Sequence, residues 1–181
     1  MSTPPQRSQL PRSLDPRRLA NQGEALSGQV PVSLCERLQD AVLRILAPID
    51  VNLRFEQADQ GRKVVAGHAE TTVEVACQRC LEPMSQHLDA TIYLGIVWSE
   101  DEAKSLPRDM DPWIVEDETA DLSAMIEDEL LLVLPFVTFH PEGTCEADGH
   151  FSVGEAPAEE QEQQDNPFSI LEQLKNSGSN H

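Results

Sequence analysis

Residues 62–98 read RKVVAGHAETTVEVACQRCLEPMSQHLDATIYLGIVW, and the fold turns on how this stretch divides. Up to Cys77 apolar or small residues recur at every second position: Val65, Gly67, Ala69, Thr71, Val73 and Val75 share one parity with Cys77. From Met84 the alternation resumes on the other parity, through Leu88, Ala90, Ile92, Leu94, Ile96 and Trp98, broken only by Gln86. A period of two is the mark of a strand with one buried face. Two such strands around a tight turn make a long hairpin, each arm roughly 40–50 Å at about 3.3 Å per residue. Cys77 and Cys80 fall at its tip. Gly67 and Gly95 are the expected places for bulges or bends.

Working outward, VNLRFE (51–56) alternates with Val51, Leu53 and Phe55 on one face, and QADQGR (57–62) supplies a turn. SLCERLQDAVLRILAP (33–48) has another rhythm, placing Leu34, Leu38, Ala41, Val42, Ile45 and Leu46 on one helical face. Ser33 is the expected cap and Pro48 the stop. Cys35, beside that stripe, reads as a buried small hydrophobe. In DLSAMIEDELLLVLP (121–135), Asp121 caps a second helix and Pro135 ends it. Leu122, Met125, Ile126, Leu130, Val133 and Leu134 form its apolar stripe, and Glu127, Asp128 and Glu129 read as its solvated side.

One-sided strands and one-sided helices must cover each other. The expected fold class is therefore α+β: a mostly antiparallel sheet with a long hairpin, strands near 51–57, 62–76 and 84–98, packed by helices Leu34–Leu46 and Leu122–Leu134. The termini are expected to be flexible. Residues 1–13 read as a tail, LDPRRLANQG (14–23) as an arm, and 14–153 as a single domain. Residues 154–166, rich in Glu, Gln and Pro, read as a disordered acidic linker. NPFSILEQLK (166–175) carries Asn166 as a cap and Pro167 at the first helical position, so 167–175 is expected to be a short helix. The long linker before it favours a docking helix on a flexible tether, and a helix folding back on its own domain is the other reading.

At 181 residues the chain is long enough for one domain with a real core. Its four cysteines are too few for a disulfide scaffold. The first residues are polar and proline-broken, and the longest apolar run, LLLVLPFV (130–137), is far short of a membrane span. The expectation is a cytoplasmic protein with reduced thiols and no membrane partner. The net charge of −19 is unevenly placed, with four arginines against one aspartate in residues 1–20. Residues 100–165 hold 20 acidic residues against Lys104 and Arg108. Such a surface repels phosphate backbones and suits a basic partner, although acidic runs also serve plain solubility.

The cysteine pair admits three readings. A redox dithiol needs a helix N-terminus to favour thiolate. Here Glu82 and Pro83 follow, then a strand pattern, so that reading fits poorly. A zinc site needs two more ligands to close a tetrahedron. His140 and Cys145 in FHPEGTCEADGH (139–150) are the candidates, with His150 as a spare. The third reading is a turn whose reduced cysteines are merely structural. Catalysis finds no support in motifs: there is no phosphate-binding glycine loop, nucleophile elbow or HExxH helix.

CQRCLEPM (77–84), followed by DLSAMIEDELLLVLPFVTFH (121–140) and a downstream cysteine, resembles the large ribosomal RNA subunit accumulation protein (YceD) family. LPRSLDPRRLA (10–20) and NPFSILEQLK resemble the ends of its proteobacterial members. The resemblance implies a non-enzymatic role in the synthesis, processing or stability of 23S-type ribosomal RNA, and so in ribosome biogenesis. Some relatives carry a cysteine-rich cluster just after the Leu-Pro that completes a zinc ribbon; here only His140, Cys145 and His150 occupy that region. With the acidic surface, the resemblance points to basic ribosomal or assembly proteins as partners. Arg79 at the tip and Glu127, Asp128 and Glu129 on the second helix are the candidate contact residues. A zinc-dependent RNA-binding module is the rival reading, with single strands contacted by the Arg79 knuckle and the N-terminal arginine arm, and a metal-dependent nuclease is the weaker one.

Overall fold

The computed structural model describes residues 8–141 and 143–145. In chain order its elements are β1 (Ser13–Leu14), α1 (Pro16–Gln22), β2 (Ala25–Val30), a 3₁₀ turn (Val32–Leu34), α2 (Glu36–Ala41), β3 (Arg44–Ile45) and β4 (Ile49–Gln57). There follow β5 (Lys63–Ala76), β6 (Pro83–Val97), α3 (Glu100–Ala103), β7 (Asp111–Ile114), β8 (Ala120–Asp121) and α4 (Leu122–Val133). The expected linker over 154–166 and the expected helix over 167–175 lie outside the described residues.

The hairpin of β5 and β6 is the spine. Its ladder runs unbroken from Val64↔Gly95 to Ala76↔Pro83. A six-stranded sheet grows around it in the order β2-β4-β5-β6-β7, with β3 also pairing β5. All pairings are antiparallel except β6 with β7. The expected parity is the buried one: Val65, Ala69, Val73, Leu88, Ala90 and Ile92 all face the core. There they meet Leu122, Ile126 and Leu130 of α4, together with Leu38 of α2. Each valine, leucine or isoleucine among them, once buried, contributes about 1.5–3 kcal/mol. The fold is α+β.

Both glycine expectations need correction, because neither position bulges. Gly67 stays in register between Leu53 and Ile92. A Cβ there would sit 2.0 Å from the Asn52 carbonyl oxygen, so glycine is required by close strand approach. Gly95 likewise makes room for Leu106 and Met110, which cover the second face of β6.

The helix expected over Leu34–Leu46 stops at Ala41, and Val42 is already extended (φ −126°, ψ 164°). The cause is an open sheet edge. Pairing of β4 with β5 ends at Asp50↔Glu70, leaving the far end of β5 unpaired on that side. Residues 43–47 take up those groups: Leu43 N–H donates to Glu74 O (2.8 Å) and Leu46 N–H to Thr72 O (2.7 Å). Arg44 adds a two-pronged pair with Glu74, at 2.9 Å for each bond. Leu46, expected in the core, is 46% exposed.

The arm at 14–23 is a helix in its central part. Asp15 caps α1 by accepting from Arg18 N–H at 3.0 Å, Pro16 opens it, and Gly23 closes it at φ 67°. Part of the expected tail is held as well. Leu10 is buried, donates its N–H to Gln29 O (2.9 Å), and is followed by β1 paired with β8.

Candidate metal centre

The turn between β5 and β6 is locked by its own backbone. Cys77 N–H donates to Glu82 O at 2.9 Å and Leu81 N–H to Cys77 O at 2.8 Å. Leu81 adopts φ 64°, a left-handed conformation that costs a non-glycine residue about 1 kcal/mol. Pro135 ends α4 because its ring excludes the helical conformation for Leu134 (φ −67°, ψ 120°). The chain then runs beside the hairpin tip. Gln78 N–H donates to Thr138 O (2.8 Å), and the Thr138 hydroxyl donates to Ala76 O (2.8 Å). Gln78 also reaches Phe136 O through its amide at 2.9 Å.

This docking gathers Cys77, Cys80, His140 and Cys145, whose ligand atoms all lie within 4.8 Å of one another. Cys77 Sγ lies 3.9 Å from Cys145 Sγ, and Cys80 Sγ lies 3.3 Å from His140 Nδ1. A tetrahedral zinc with Zn–S near 2.3 Å spaces its sulfurs about 3.8 Å apart, so the cluster fits such an ion. Three thiols and one imidazole also match the soft donor set zinc prefers. Burial pushes the Cys77 thiol upward, but backbone N–H donors from Cys80, His140 and Arg79 outweigh it and lower the pKa to about 5. Cys80 moves the other way, raised by burial and by its thiol neighbours Cys77 and Cys145. The centre thus holds one ready thiolate and an adjacent thiol that must lose its proton to become a ligand. His150 lies outside the described residues.

Glu127, expected at the surface, is instead 4% exposed. Its Oε1 accepts from Leu38 N–H at 2.9 Å, satisfying the third backbone amide of α2. Its Oε2 accepts from Arg37 Nε at 2.9 Å, and the same guanidinium reaches Asp128 Oδ1 at 2.6 Å. A carboxylate from α4 therefore caps α2, whose own cap residue, Cys35, supplies no side-chain bond. Cys35 is fully buried, and burial, with the Glu127 carboxylate second, pushes its thiol up to about 11. Asp128 remains exposed and Glu129 is half-buried.

The family model for "Large ribosomal RNA subunit accumulation protein YceD" matches residues 65–175, more than half of the chain. The chain belongs to the YceD family. It is also 33% identical over 171 residues to the curated YceD protein of Haemophilus influenzae, covering 94% of this chain and 98% of that one. No solved structure matches. The stretch matched to YceD begins within β5 and contains all four clustered ligand positions.

Several residues of this region carried no signal in the sequence. Arg37 became visible only through its fork onto Glu127 and Asp128. Phe136 is 97% exposed beside the tip, and Phe139, 47% exposed, lies 5.2 Å beneath the Arg79 guanidinium. An apolar run after a helix stop reads as core, and nothing local showed that these rings face outward.

Proposed function

We propose that this chain raises the level of large-subunit ribosomal RNA without catalysing a reaction, by holding a basic protein partner in the cytoplasm. The observation that carries the role is membership of a family named for accumulation of that RNA. The acidic balance of residues 100–165 supports a protein partner, since it repels phosphate and attracts cationic surfaces. Deleting the gene should lower the ratio of large- to small-subunit ribosomal RNA, and an unchanged ratio would refute the role. Ribosomal association that survives nuclease treatment of a pull-down would support the protein-partner mode. Divalent-metal-dependent RNA cleavage by the purified chain would overturn the non-enzymatic reading.

We also propose that Cys77, Cys80, His140 and Cys145 hold zinc. With four protein ligands no position is left for substrate or water, so the metal's part is structural: it ties segment 136–145 to the hairpin tip. Binding should be pH-dependent. Cys77 is a thiolate down to about pH 5, whereas the raised Cys80 thiol must release its proton as the metal enters. Zinc affinity measured against a chromophoric chelator should therefore weaken steadily from about pH 8 to about pH 6, and a flat profile would contradict this ligand set.

A second reading has one observation behind it. Arg79 stacked on Phe139, with the bare ring of Phe136 nearby, offers a platform of the kind that stacks single-stranded bases. Salt-sensitive binding of large-subunit RNA, lost in Arg79→Ala, would favour it.

A further inference from the structure

The edge strand β7 and helix α4 enclose an open groove of about 760 Å³. Leu94, Trp113 and Met125 line it, and the exposed Leu132 forms part of its wall. Around this apolar lining stand Glu100, Asp111, Glu116, Asp117, Asp128 and Glu129. Asp128 is matched by Arg37. Among the described residues no cation pairs with Asp111, Glu116, Asp117 or Glu129.

We infer that this groove is the docking site for a basic, amphipathic protein segment, whose arginine or lysine meets Glu129 and Asp111 and whose aliphatic side chain lies on Trp113 and Met125. The inference rests on the protein-partner reading above and gives that reading a place. The groove presents both halves of such a segment's chemistry. An apolar floor without the acids would take any greasy surface, and acids without a floor would take only counterions. Glu129 sharpens the match: burial first, then Asp111 and Asp128, raises its carboxyl above the usual range. A half-buried acid among like charges gains from an arriving cation. Nucleic acid is excluded from the same groove by charge. Of the Glu127–Glu129 triplet expected as the contact surface, only Asp128 and Glu129 line it.

Calorimetric titration of the full chain with a short synthetic peptide of arginine and leucine tests this. Wild type should bind it. The variant Asp111→Asn/Glu116→Gln/Glu129→Gln should bind about tenfold or more weakly, with the gap closing at high salt. A control of equal charge, Glu24→Gln/Asp40→Asn/Asp89→Asn, removes exposed acids elsewhere and should stay within about twofold of wild type. Leu132→Ser and serine-for-leucine peptides should each weaken binding, reporting the apolar half. The charge variants lose like-charge repulsion, so melting temperatures at or above wild type are expected and confirm folding. Equal weakening by the two triple variants would reduce the effect to net charge and overturn the site. So would equal binding of a glutamate-for-arginine peptide, no binding by wild type, or binding of a single-stranded RNA oligonucleotide, titrated without peptide, that Leu132→Ser abolishes. The RNA ratio after gene deletion tests the cellular role separately, so loss of the groove and loss of the role are distinguishable.

Discussion

Replacing Glu127 by lysine is expected to cost about 3–5 kcal/mol of folding stability, the range for leaving an uncompensated charge at a buried position. Two losses coincide. The Leu38 amide, buried beneath α4, loses its acceptor at 2.9 Å. A left-over buried donor of this kind alone costs about 1–3 kcal/mol. The new ammonium would then stand beside Arg37, which is 54% exposed and turns to water and Asp128. Urea denaturation should show the midpoint falling, with the slope unchanged if the native fold persists. Glu127→Gln should cost only about 1–2 kcal/mol, because its amide oxygen still accepts from Leu38. Asp128→Lys, at an exposed position, should stay within about 1 kcal/mol. If Glu127→Lys melts within about 0.5 kcal/mol of wild type, the α4-to-α2 cap carries no weight. Reversing all three acids from Glu127 to Glu129 would therefore report unfolding as much as partner loss, and the groove variants are the cleaner test of binding.

Removing zinc should be the other large effect. Protein purified without chelator or affinity metal is expected to carry about one zinc per chain, and Cys77→Ser close to none. Structural zinc sites contribute roughly 10–16 kcal/mol of apparent binding free energy in small peptides at neutral pH, so even a fraction of that dominates a local segment. The damage should be local. The sheet core formed by Val51, Phe55, Val65 and Leu88 packs without the tip. Chelation should therefore release segment 136–145 and expose the tip before it lowers the main transition. Thiol titration reads this directly: Cys77, Cys80 and Cys145 should become reactive on chelation, while Cys35, fully buried in the core, stays silent. Hydrogen exchange should rise at Gln78, whose amide is held by Thr138. A native protein with little zinc and three freely titrating tip thiols would leave the turn as a purely structural one.

The β5–β6 hairpin and the cap and stop of α4 were legible in the chain because their causes are local. Alternation by twos puts every apolar residue of a strand on one face whatever lies beyond it, and the capping aspartate and the helix-ending proline act within one turn of themselves. The tip position of Cys77 and Cys80 followed from the same alternation. The α1 helix is signalled locally too, by Asp15 as a cap, Pro16 as a start and Gly23 as a stop.

Tertiary structure alone decided the rest. Residues 43–47 have helix-compatible spacing, yet unpaired backbone groups on β5 draw them into the sheet, and only the assembled register leaves those groups open. Glu127 sits in a run of three acids that looks like solvated surface. Its burial depends on an amide from α2, 89 positions away, that needs an acceptor. His140 and Cys145 reach the tip, 63 and 68 positions from Cys77, only because α4 packs across the sheet and Pro135 releases the chain at that end. Spacing along a chain states which ligands exist. Which of them meet depends on how distant elements pack, and that packing is set by burial of the whole apolar surface at once.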